Sequence, residues 1–277
     1  MKSFEYFKVK TVAEAISRLR DNPDGSHILN GGTDLIIRMK ENHLHPDRVI
    51  DIRGIEGFSD INFSEKEGLF IGACVTLGEM AHHKSVVEHY SLLADAAEMV
   101  GSGQIRNAAT MTGNLCNASP LADTATPALV LNAVVIVEGL TGEKEIPVNE
   151  FFKGVRRTSL EKTDVVKGIR IPYEANLQGS FHKASRRKDV DLSTVCASGV
   201  KIGDEYRLAL GAVAPTPIRL PQVEKFLRGK EINQNTIKQA LDLIDEEISP
   251  IDDVRSTKEF RTHLAKVLVQ RCLEQMV

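Results

Sequence analysis

The sequence predicts a protein of the α+β class with about two domains. Its 277 residues are enough to form more than one hydrophobic core. Up to about residue 176, short apolar runs alternate with amphipathic segments, and beyond it a set of strands gives way to three helices in succession. Runs of strands followed by runs of helices are typical of α+β units. We therefore expect domains at residues 1–176 and 177–277, the first with subdomains at about 1–54 and 55–176.

The first subdomain is predicted to contain an amphipathic helix followed by a small β-loop-α-β unit. Thr11 and Glu14 have the spacing of a capping box, which predicts the start of the helix, and Asn22-Pro23 predicts its end. The unit that follows is predicted to consist of a strand at 27–30, a loop with two adjacent glycines, a helix at about 34–40 and a strand at 48–52.

The second subdomain is predicted to carry a long polar loop between regular elements. Residues 101–120 are rich in Gly, Asn, Ser and Thr. Because long loops without secondary structure are uncommon inside compact domains, such a loop is usually functional. The regular elements predicted around it are strands at 69–73, 133–138 and 165–171 and helices around 77–80, 91–100 and 123–132.

The C-terminal domain is predicted to place its strands before its helices. No internal repeat or low-complexity segment interrupts that order in the sequence. Strands are predicted at 180–184, 195–202 and 206–213, and helices at about 217–228, 233–247 and 256–276.

Composition and charge exclude several classes of function. The formal net charge of −3 gives no indication of a nucleic-acid or membrane-surface protein. The N-terminal residues contain no apolar core of a signal peptide, and the most apolar stretch, residues 128–140, is interrupted by Asn132 and Glu138 and is too short to cross a bilayer. We therefore expect a cytoplasmic protein with no nucleic-acid partner and no membrane span.

The cysteines and histidines do not predict a metal site. The four cysteines, Cys74, Cys116, Cys196 and Cys272, are far apart and form no C-x-x-C pair, which argues against zinc or an iron–sulfur cluster on this chain. We expect reduced and mostly buried thiols. The histidine pairs at 43/45 and 82/83 lack acidic or cysteine partners at ligand spacing.

A loop with two adjacent glycines precedes the second predicted helix. We call it loop 1, and it comprises Leu29, Asn30, Gly31, Gly32, Thr33, Asp34 and Leu35. Adjacent glycines can adopt positive φ and expose consecutive backbone N–H groups, and a helix N-terminus adds further donors, a combination that suits a phosphate. Asp34 is expected to cap the helix through its own side chain. Taken alone, the loop fits a tight turn equally well, because it matches neither G-x-G-x-x-G nor the P-loop pattern.

A second small-residue loop strengthens the phosphate interpretation. We call it loop 2, and it comprises Thr110, Met111, Thr112, Gly113 and Asn114. Its hydroxyl and amide groups can donate to phosphate or ribityl oxygens. Asp123, further along, either caps the helix that follows or accepts hydrogen bonds from sugar or ribityl hydroxyls. Two phosphate-type loops on one chain suit a dinucleotide, whose pyrophosphate can be held from both sides.

Six segments together resemble a known family. They are NGGTDLIIRMK, IGACVTLGEM, GSGQIRNAATMTGNLCNASPLADTATPALVLNA, FHKASRRKDVDLSTV, LALGAVAPTPIRL and STKEFRTHLAKVLVQR. In order and spacing they resemble the FAD-binding subunits of molybdenum-containing hydroxylases, the family of xanthine dehydrogenase, carbon monoxide dehydrogenase and related aromatic hydroxylases. The resemblance extends over nearly the whole chain.

The resemblance implies a fold and a cofactor. The fold is an FAD-binding domain of the PCMH type, with two α/β subdomains, followed by a C-terminal α+β domain with a three-stranded sheet and a helical bundle. The cofactor is FAD held without a covalent bond, with loops 1 and 2 matching the pyrophosphate motifs.

The same resemblance implies contacts for the flavin part of FAD. Asp123 matches a position that contacts FAD, and Val166 or Lys167 lies where the family backbone touches the isoalloxazine ring. Lys183 matches a basic residue near that ring, where a cation stabilises the anionic reduced flavin. The alternatives for Lys183 are an exposed strand lysine, or His182 as the residue that aligns instead.

Two positions depart from the family pattern, and a third allows two interpretations. Asn30 stands where the family has Ala, and Thr112 where it has Gly. A positive φ at Thr112 would be strained, so we expect a conformation that an L-residue can adopt. Arg106 either pairs with a phosphate or forms an ion pair inside the subunit, and we favour the ion pair.

The resemblance also implies a place in an electron-transfer complex. In the family, a large molybdenum-cofactor subunit oxidises the substrate, a small subunit carries two [2Fe-2S] clusters, and the flavin subunit passes electrons to NAD or another acceptor. This chain is therefore expected to need no catalytic acid or base of its own. We expect a dimer of heterotrimers, and the cysteine spacing argues against the branch with an added [4Fe-4S] cluster.

The substrate of the complex cannot be deduced from a subunit that does not bind it. We favour a xanthine or purine dehydrogenase, with carbon monoxide, nicotinate or another N-heterocycle as alternatives. Two hypotheses come from other classes: a free-standing FAD oxidase, and an assembly module that keeps the fold without the flavin.

Overall fold

The protein consists of three β-sheets and a short hairpin, with helices packed on them. The computed structural model describes residues 1–276. The α+β class predicted from the sequence is confirmed. No helix within the described residues is both long enough and apolar enough to cross a membrane.

The N-terminal sheet has three parallel strands in the order β1-β3-β2. Helix α1 begins after Thr11, whose hydroxyl accepts the N–H of Glu14 as predicted, although the Glu14 carboxylate is bonded by the N–H of Lys10 and not of Thr11. The predicted β-loop-α-β unit corresponds to β2, α2 and β3. The elements of this part are β1 (Glu5–Lys8), α1 (Val12–Asp21), β2 (Ser26–Leu29), α2 (Leu35–Lys40) and β3 (Arg48–Asp51).

The middle part is built on an antiparallel sheet of five strands. The strands follow the order β4-β5-β10-β6-β7, with β10 at the centre. Its strands are β4 (Ile61–Ser64), β5 (Gly68–Gly72), β6 (Val134–Gly139), β7 (Gly142–Pro147) and β10 (Val165–Ile171), and β8 (Phe152–Gly154) pairs with β9 (Arg157–Thr158) in a separate hairpin. Its helices are α3 (Leu77–His82), α4 (Lys84–His89), α5 (Ser91–Glu98), α6 (Gly103–Arg106), α7 (Met111–Cys116), α8 (Ala125–Val130) and α9 (Val148–Phe151).

The expectation of a long irregular loop at 101–120 is wrong, because this segment contains the two short helices α6 and α7. The hydroxyl of Ser102 accepts the N–H of Ile105, and that of Thr110 accepts the N–H of Gly113. These small polar residues therefore cap helices instead of forming an open loop.

The C-terminal sheet has the three long strands that were expected and a short fourth strand at its edge. All of its neighbouring strands are antiparallel. The predicted helix at 217–228 begins later, because residues 218–219 pair as a strand and Pro221 occupies the first helical turn. The elements are β11 (Gln178–Ala184), β12 (Val195–Ile202), β13 (Glu205–Gly211), β14 (Ile218–Arg219), α10 (Pro221–Leu227), α11 (Gln234–Asp242), α12 (Ile244–Glu247) and α13 (Lys258–Gln275).

Both faces of the C-terminal sheet are buried. Alternate side chains of β12 point to opposite faces: Cys196 and Val200 join the core of the middle part, whereas Val195 and Ala197 join the core formed with the C-terminal helices. A hydrogen bond of 2.9 Å from Ser198 Oγ to Thr126 Oγ1 of α8 lies in the first of these interfaces. The hydrophobic core therefore continues across residue 176.

Candidate functional site

A cavity of about 480 Å³ lies between loops 1 and 2, where β2 and β3 end. Ligands of α/β sheets commonly bind outside the carboxyl ends of parallel strands. Of the predicted site residues, those that line this cavity are Asn30, Gly31, Gly32, Thr33, Asp34, Leu35, Thr110, Thr112, Gly113, Asn114 and Val166. Leu29, the first residue of loop 1, does not line the cavity and is part of a small buried cluster.

The two positions of the double glycine in loop 1 require glycine for different structural reasons. A Cβ on residue 31 would lie 2.0 Å from the carbonyl oxygen of Ala108, so only glycine allows this approach of the backbone that leads into loop 2. Gly32 adopts a φ of +74°, a conformation that L side chains rarely take. The first glycine therefore brings the two loops together, and the second turns the chain into α2.

Asn30 ties the two loops together with its side chain. Its Nδ2 group donates to the carbonyl oxygen of Ala73 at 2.6 Å and to Thr110 Oγ1 at 3.1 Å. An alanine, which the family pattern has at this position, could make neither bond. The departure at residue 30 thus adds a polar link between loop 1 and loop 2.

Several residues of both loops that line the cavity have backbone N–H groups without a hydrogen-bond partner. Within residues 1–276, no hydrogen bond to a protein acceptor is formed by the N–H groups of Gly31, Gly32, Thr33 and Asp34 in loop 1 or of Thr112 in loop 2. The N–H of Gly113 is already bonded to Thr110 Oγ1 at 2.9 Å. Unpartnered backbone donors that line one cavity suit an anion.

The prediction that Asp34 caps helix α2 with its side chain is wrong. Asp34 already has helical backbone angles, φ −100° and ψ −49°, and makes no cap hydrogen bond. An N-cap side chain typically bonds the N–H groups of the first helical turn when its own backbone is extended. The backbone of Asp34 is helical instead. The carboxylate accepts instead from Nη1 of Arg156 at 3.2 Å.

Thr112 avoids the strain that a positive φ would impose. It lies in the first turn of α7, and it is absent from the described non-glycine residues with positive φ. Its side chain is buried, and Oγ1 has no hydrogen-bond partner among the residues of the structure. The expectation of a conformation open to an L-residue is confirmed.

Asp123 and Lys183 form a buried ion pair outside this cavity. Lys183 Nζ lies 2.7 Å from Asp123 Oδ2 and 2.9 Å from the carbonyl oxygen of Met99, and Ser193 donates to the other Asp123 oxygen. The side chain of Lys183 is only 5% exposed, so the alternative of an exposed strand lysine is wrong. Burial raises the pKa of Asp123, an effect that the ammonium of Lys183 opposes.

Asp123 does not cap helix α8. The N-cap position belongs to Thr124, which makes no side-chain cap bond, and the Asp123 carboxylate is occupied by Lys183 and Ser193.

A second depression of about 370 Å³ adjoins Lys183. The segment at 100–106 separates it from the main cavity: Val100 and Ile105 line the cavity, whereas Gly101 and Arg106 line the depression. Arg106 pairs with Glu98 at 3.0 Å, which confirms the internal ion pair predicted for it.

Of the two candidates on β10, Val166 is the one that lines the cavity. Lys167 points to neighbouring strands, where its Nζ lies 2.6 Å from Glu143 and 3.3 Å from Glu138. These two carboxylates raise the pKa of Lys167, with the hydrogen bond to Glu143 as the main cause.

The cysteines are free thiols. Burial raises the pKa of Cys74, Cys116 and Cys272 to about 12 and also raises that of Cys196, so all four are protonated at neutral pH. Within residues 1–276, no cluster of three or more His, Cys, Asp or Glu side chains is arranged to hold a metal ion.

Several lining residues carry no signal in the sequence. They are Arg38, Arg156, Leu160 and Asp164, which come from separate segments and meet only in the folded chain. Asp164 is paired with Lys144 at 2.8 Å. Their positions depend on tertiary packing, which no local pattern records.

Comparisons with known proteins agree with this architecture. The family model described as the FAD binding domain in molybdopterin dehydrogenase matches residues 2–174, and that of the CO dehydrogenase flavoprotein C-terminal domain matches residues 180–276. The xanthine dehydrogenase FAD-binding subunit of Escherichia coli O157:H7 is 32% identical over 282 residues, which cover 98% of this chain and 95% of that protein. The carbon monoxide dehydrogenase medium chain of Hydrogenophaga pseudoflava is 30% identical over 276 residues, covering 98% and 96%.

A solved structure is similar over almost the full length. Carbon monoxide dehydrogenase from Hydrogenophaga pseudoflava lacking the Mo-pyranopterin moiety of its molybdenum cofactor matches with a TM-score of 0.94 and 29% identity, over 99% of this chain and 97% of that chain. The chain therefore belongs to the FAD-binding oxidoreductase subunits of the molybdenum hydroxylase family, the family of xanthine dehydrogenase and carbon monoxide dehydrogenase.

Proposed function

We propose that this chain is the electron-transfer subunit of a xanthine or related purine dehydrogenase. It holds FAD without a covalent bond, receives electrons from [2Fe-2S] clusters on a partner subunit and passes them to NAD or another acceptor. The observation that carries the FAD site is the set of unpartnered backbone N–H groups of loops 1 and 2 at one cavity, and the similarity to xanthine dehydrogenase FAD-binding subunits supports the purine assignment.

The residues of the cavity fit the pyrophosphate of FAD. Residues of both loops with unbonded backbone N–H groups line this cavity, and backbone donors at helix N-termini favour phosphate oxygens. The two carboxylates that line the cavity are each neutralised, Asp34 by Arg156 and Asp164 by Lys144. A dianionic group would therefore meet donors and paired carboxylates instead of free negative charge.

We assign Lys183 to the flavin end of the same ligand, although it borders the second depression and does not line the cavity between the loops. The Asp123 carboxylate and the carbonyl oxygen of Met99 hold the ammonium at one point beside the second depression. Bound FAD would supply the redox chemistry, which no side chain of this chain provides. The part of Lys183 would be to keep a positive charge close to the ring, and the part of Val166 to form an apolar wall of the cavity.

The assembly that we propose is a dimer of heterotrimers, with a large molybdenum-cofactor subunit and a small [2Fe-2S] subunit. The similarity to xanthine dehydrogenase FAD-binding subunits supports the purine assignment, and the similarity to a carbon monoxide dehydrogenase medium chain leaves carbon monoxide, nicotinate or another N-heterocycle as alternatives. Four free cysteines suit a reducing compartment, so we place the complex in the cytoplasm.

The division of the chain also remains a proposal. We place the FAD-binding domain at residues 1–176, with subdomains at about 1–54 and 55–176, and the C-terminal domain at 177–277. Each of the three parts has its own β-sheet, which supports this division.

One purification tests the proposal against the two alternatives from other classes, a free-standing FAD oxidase and an assembly module without flavin. The chain should be yellow after reconstitution with FAD, release the flavin on acid denaturation, and show no oxidase turnover alone. Co-purification from its source should recover a molybdenum subunit and a [2Fe-2S] subunit, and a purine should reduce the flavin of the complex. Oxidase turnover by the isolated chain, or no flavin uptake, would contradict the assignment.

A further inference from the structure

The tip of the β8–β9 hairpin reaches both sides of the cavity. Arg156 at this tip donates its backbone N–H to the carbonyl oxygen of Ala118 at 2.9 Å. Its Nη1 group donates to Asn117 Oδ1 at 2.6 Å and to Asp34 Oδ2 at 3.2 Å. Asn117 and Ala118 follow α7, whereas Asp34 belongs to loop 1, so the side chain of Arg156 joins loop 1 to the end of α7.

Asp34 needs a cation at this place. Its carboxylate lines the cavity beside the free N–H groups of loop 1, and its side chain is 41% exposed. Arg156 is the cation within ion-pair distance of it in the described chain. An unpaired carboxylate so close to a phosphate group would repel it, since like charges at short range repel even where they are partly exposed.

The backbone around this contact adopts unusual conformations. Arg156 has a φ of +56° and Ala118 a φ of +46°, and both are non-glycine residues. Such conformations cost free energy and persist only where the surrounding structure imposes them, often at ligand clamps. The hydrogen bond between these two residues indicates that the position of the hairpin tip is set by its contact with the end of α7.

We propose that Arg156 is a positioning residue for the bound dinucleotide, acting by neutralising Asp34 and tethering loop 1 to the end of α7. The inference rests on the proposed FAD site, and it assigns to this residue a role that no local sequence pattern indicates. Arg156 acts through Asp34, and the pyrophosphate itself is held by the backbone donors.

A double-mutant cycle on the full chain tests this role, with FAD affinity measured by quenching of flavin fluorescence. Arg156→Gln keeps the left-handed strain and removes the charge, and it should weaken FAD binding about tenfold, which corresponds to about 1.4 kcal/mol. Arg157→Gln, at the exposed neighbouring residue, is the matched control and should leave the affinity within about twofold. Arg156→Lys restores the charge and should recover most of the affinity.

The decisive comparison is made in the Asp34→Asn background. Without the carboxylate, Arg156→Gln should weaken FAD binding by less than about threefold, because the repulsion that Arg156 relieves is gone. Thermal unfolding of each apo variant shows that it is folded.

Three outcomes would overturn the inference. An equal loss in both backgrounds would mean that Arg156 contacts the phosphate directly. Unchanged affinity in Arg156→Gln would mean that the ion pair has no role in binding. Failure of the unsubstituted chain to bind FAD would instead overturn the proposed function itself, together with this inference.

Discussion

A Cβ atom on residue 31 would lie 2.0 Å from the carbonyl oxygen of Ala108. The backbone of loop 1 therefore touches the backbone that leads into loop 2, with no space for a side chain between them. Asn30 reinforces the contact through Thr110 Oγ1. The two loops form one surface, and the double glycine of the sequence is explained first by this contact and then by the positive φ of Gly32.

Gly31→Ala should separate the two loops. The new Cβ meets a backbone carbonyl, which cannot rotate away as a side chain can, so the purified protein should lose most of its FAD. The measurement is the ratio of flavin absorbance to protein. Gly203→Ala is the control for a Cβ added at an open position: no atom lies within 4 Å of it, and its φ of +56°, which Gly31 does not share, adds strain of about 1 kcal/mol. Full FAD content in Gly31→Ala would contradict the close approach.

The single variant Lys183→Met should have a lower free energy of unfolding, as apo chain, than the double variant Asp123→Asn/Lys183→Met. The single change leaves the Asp123 carboxylate buried without its cation, which typically costs about 3–5 kcal/mol. The double change removes both charges and should recover at least half of that loss. Urea unfolding followed by circular dichroism gives the free energies, and equal stability of the two variants would show that the pair is not energetically coupled.

The stability of the N-terminal sheet should depend on pH through Asp51. Burial raises the pKa of this carboxyl, but hydrogen bonds from Arg53, at 2.9 and 2.7 Å, and from Tyr6 lower it to about 2. Since the folded pKa is below the unfolded value of about 3.9, the contribution of about 2 kcal/mol is present above pH 4 and is lost as the pH falls towards 2.

Urea unfolding at several pH values compares wild type, Asp51→Asn and the exposed control Asp60→Asn. Wild type and Asp60→Asn should lose stability together between about pH 4 and pH 2, whereas Asp51→Asn should lose about 2 kcal/mol less over that range. Parallel curves for all three proteins would contradict the role of Asp51.

The fold was predictable where the sequence itself specifies local geometry. The strands Val165–Ile171 and Val195–Ile202 begin and end where their apolar runs predict, and Thr11 caps α1 as its residue type favours. Ser102 and Thr110 misled the prediction of a loop, because residues that favour turns also favour helix N-caps. Composition alone does not distinguish these two uses.

The site was predictable in its two loops but not in the contacts that hold them. Asp34 has the residue type of a helix cap, yet its helical backbone and its distant partner Arg156 give it another role. The requirement for glycine at residue 31 is explained by its contact with Ala108, and the burial of Lys183 is explained by its ion pair with Asp123. Each of these pairs joins segments far apart in the chain, so only the tertiary structure reveals them.

The most direct test of the account compares Gly32→Asp with Gly32→Asn. Both residues tolerate a φ of +74°, and both place the same Cβ near Leu29 and Ile36, so the two variants differ in charge alone. If the N–H groups of loop 1 face the pyrophosphate, the added carboxylate should weaken FAD binding at least about tenfold relative to the amide. Equal FAD dissociation constants for the two variants would contradict the assignment of the pyrophosphate to this loop.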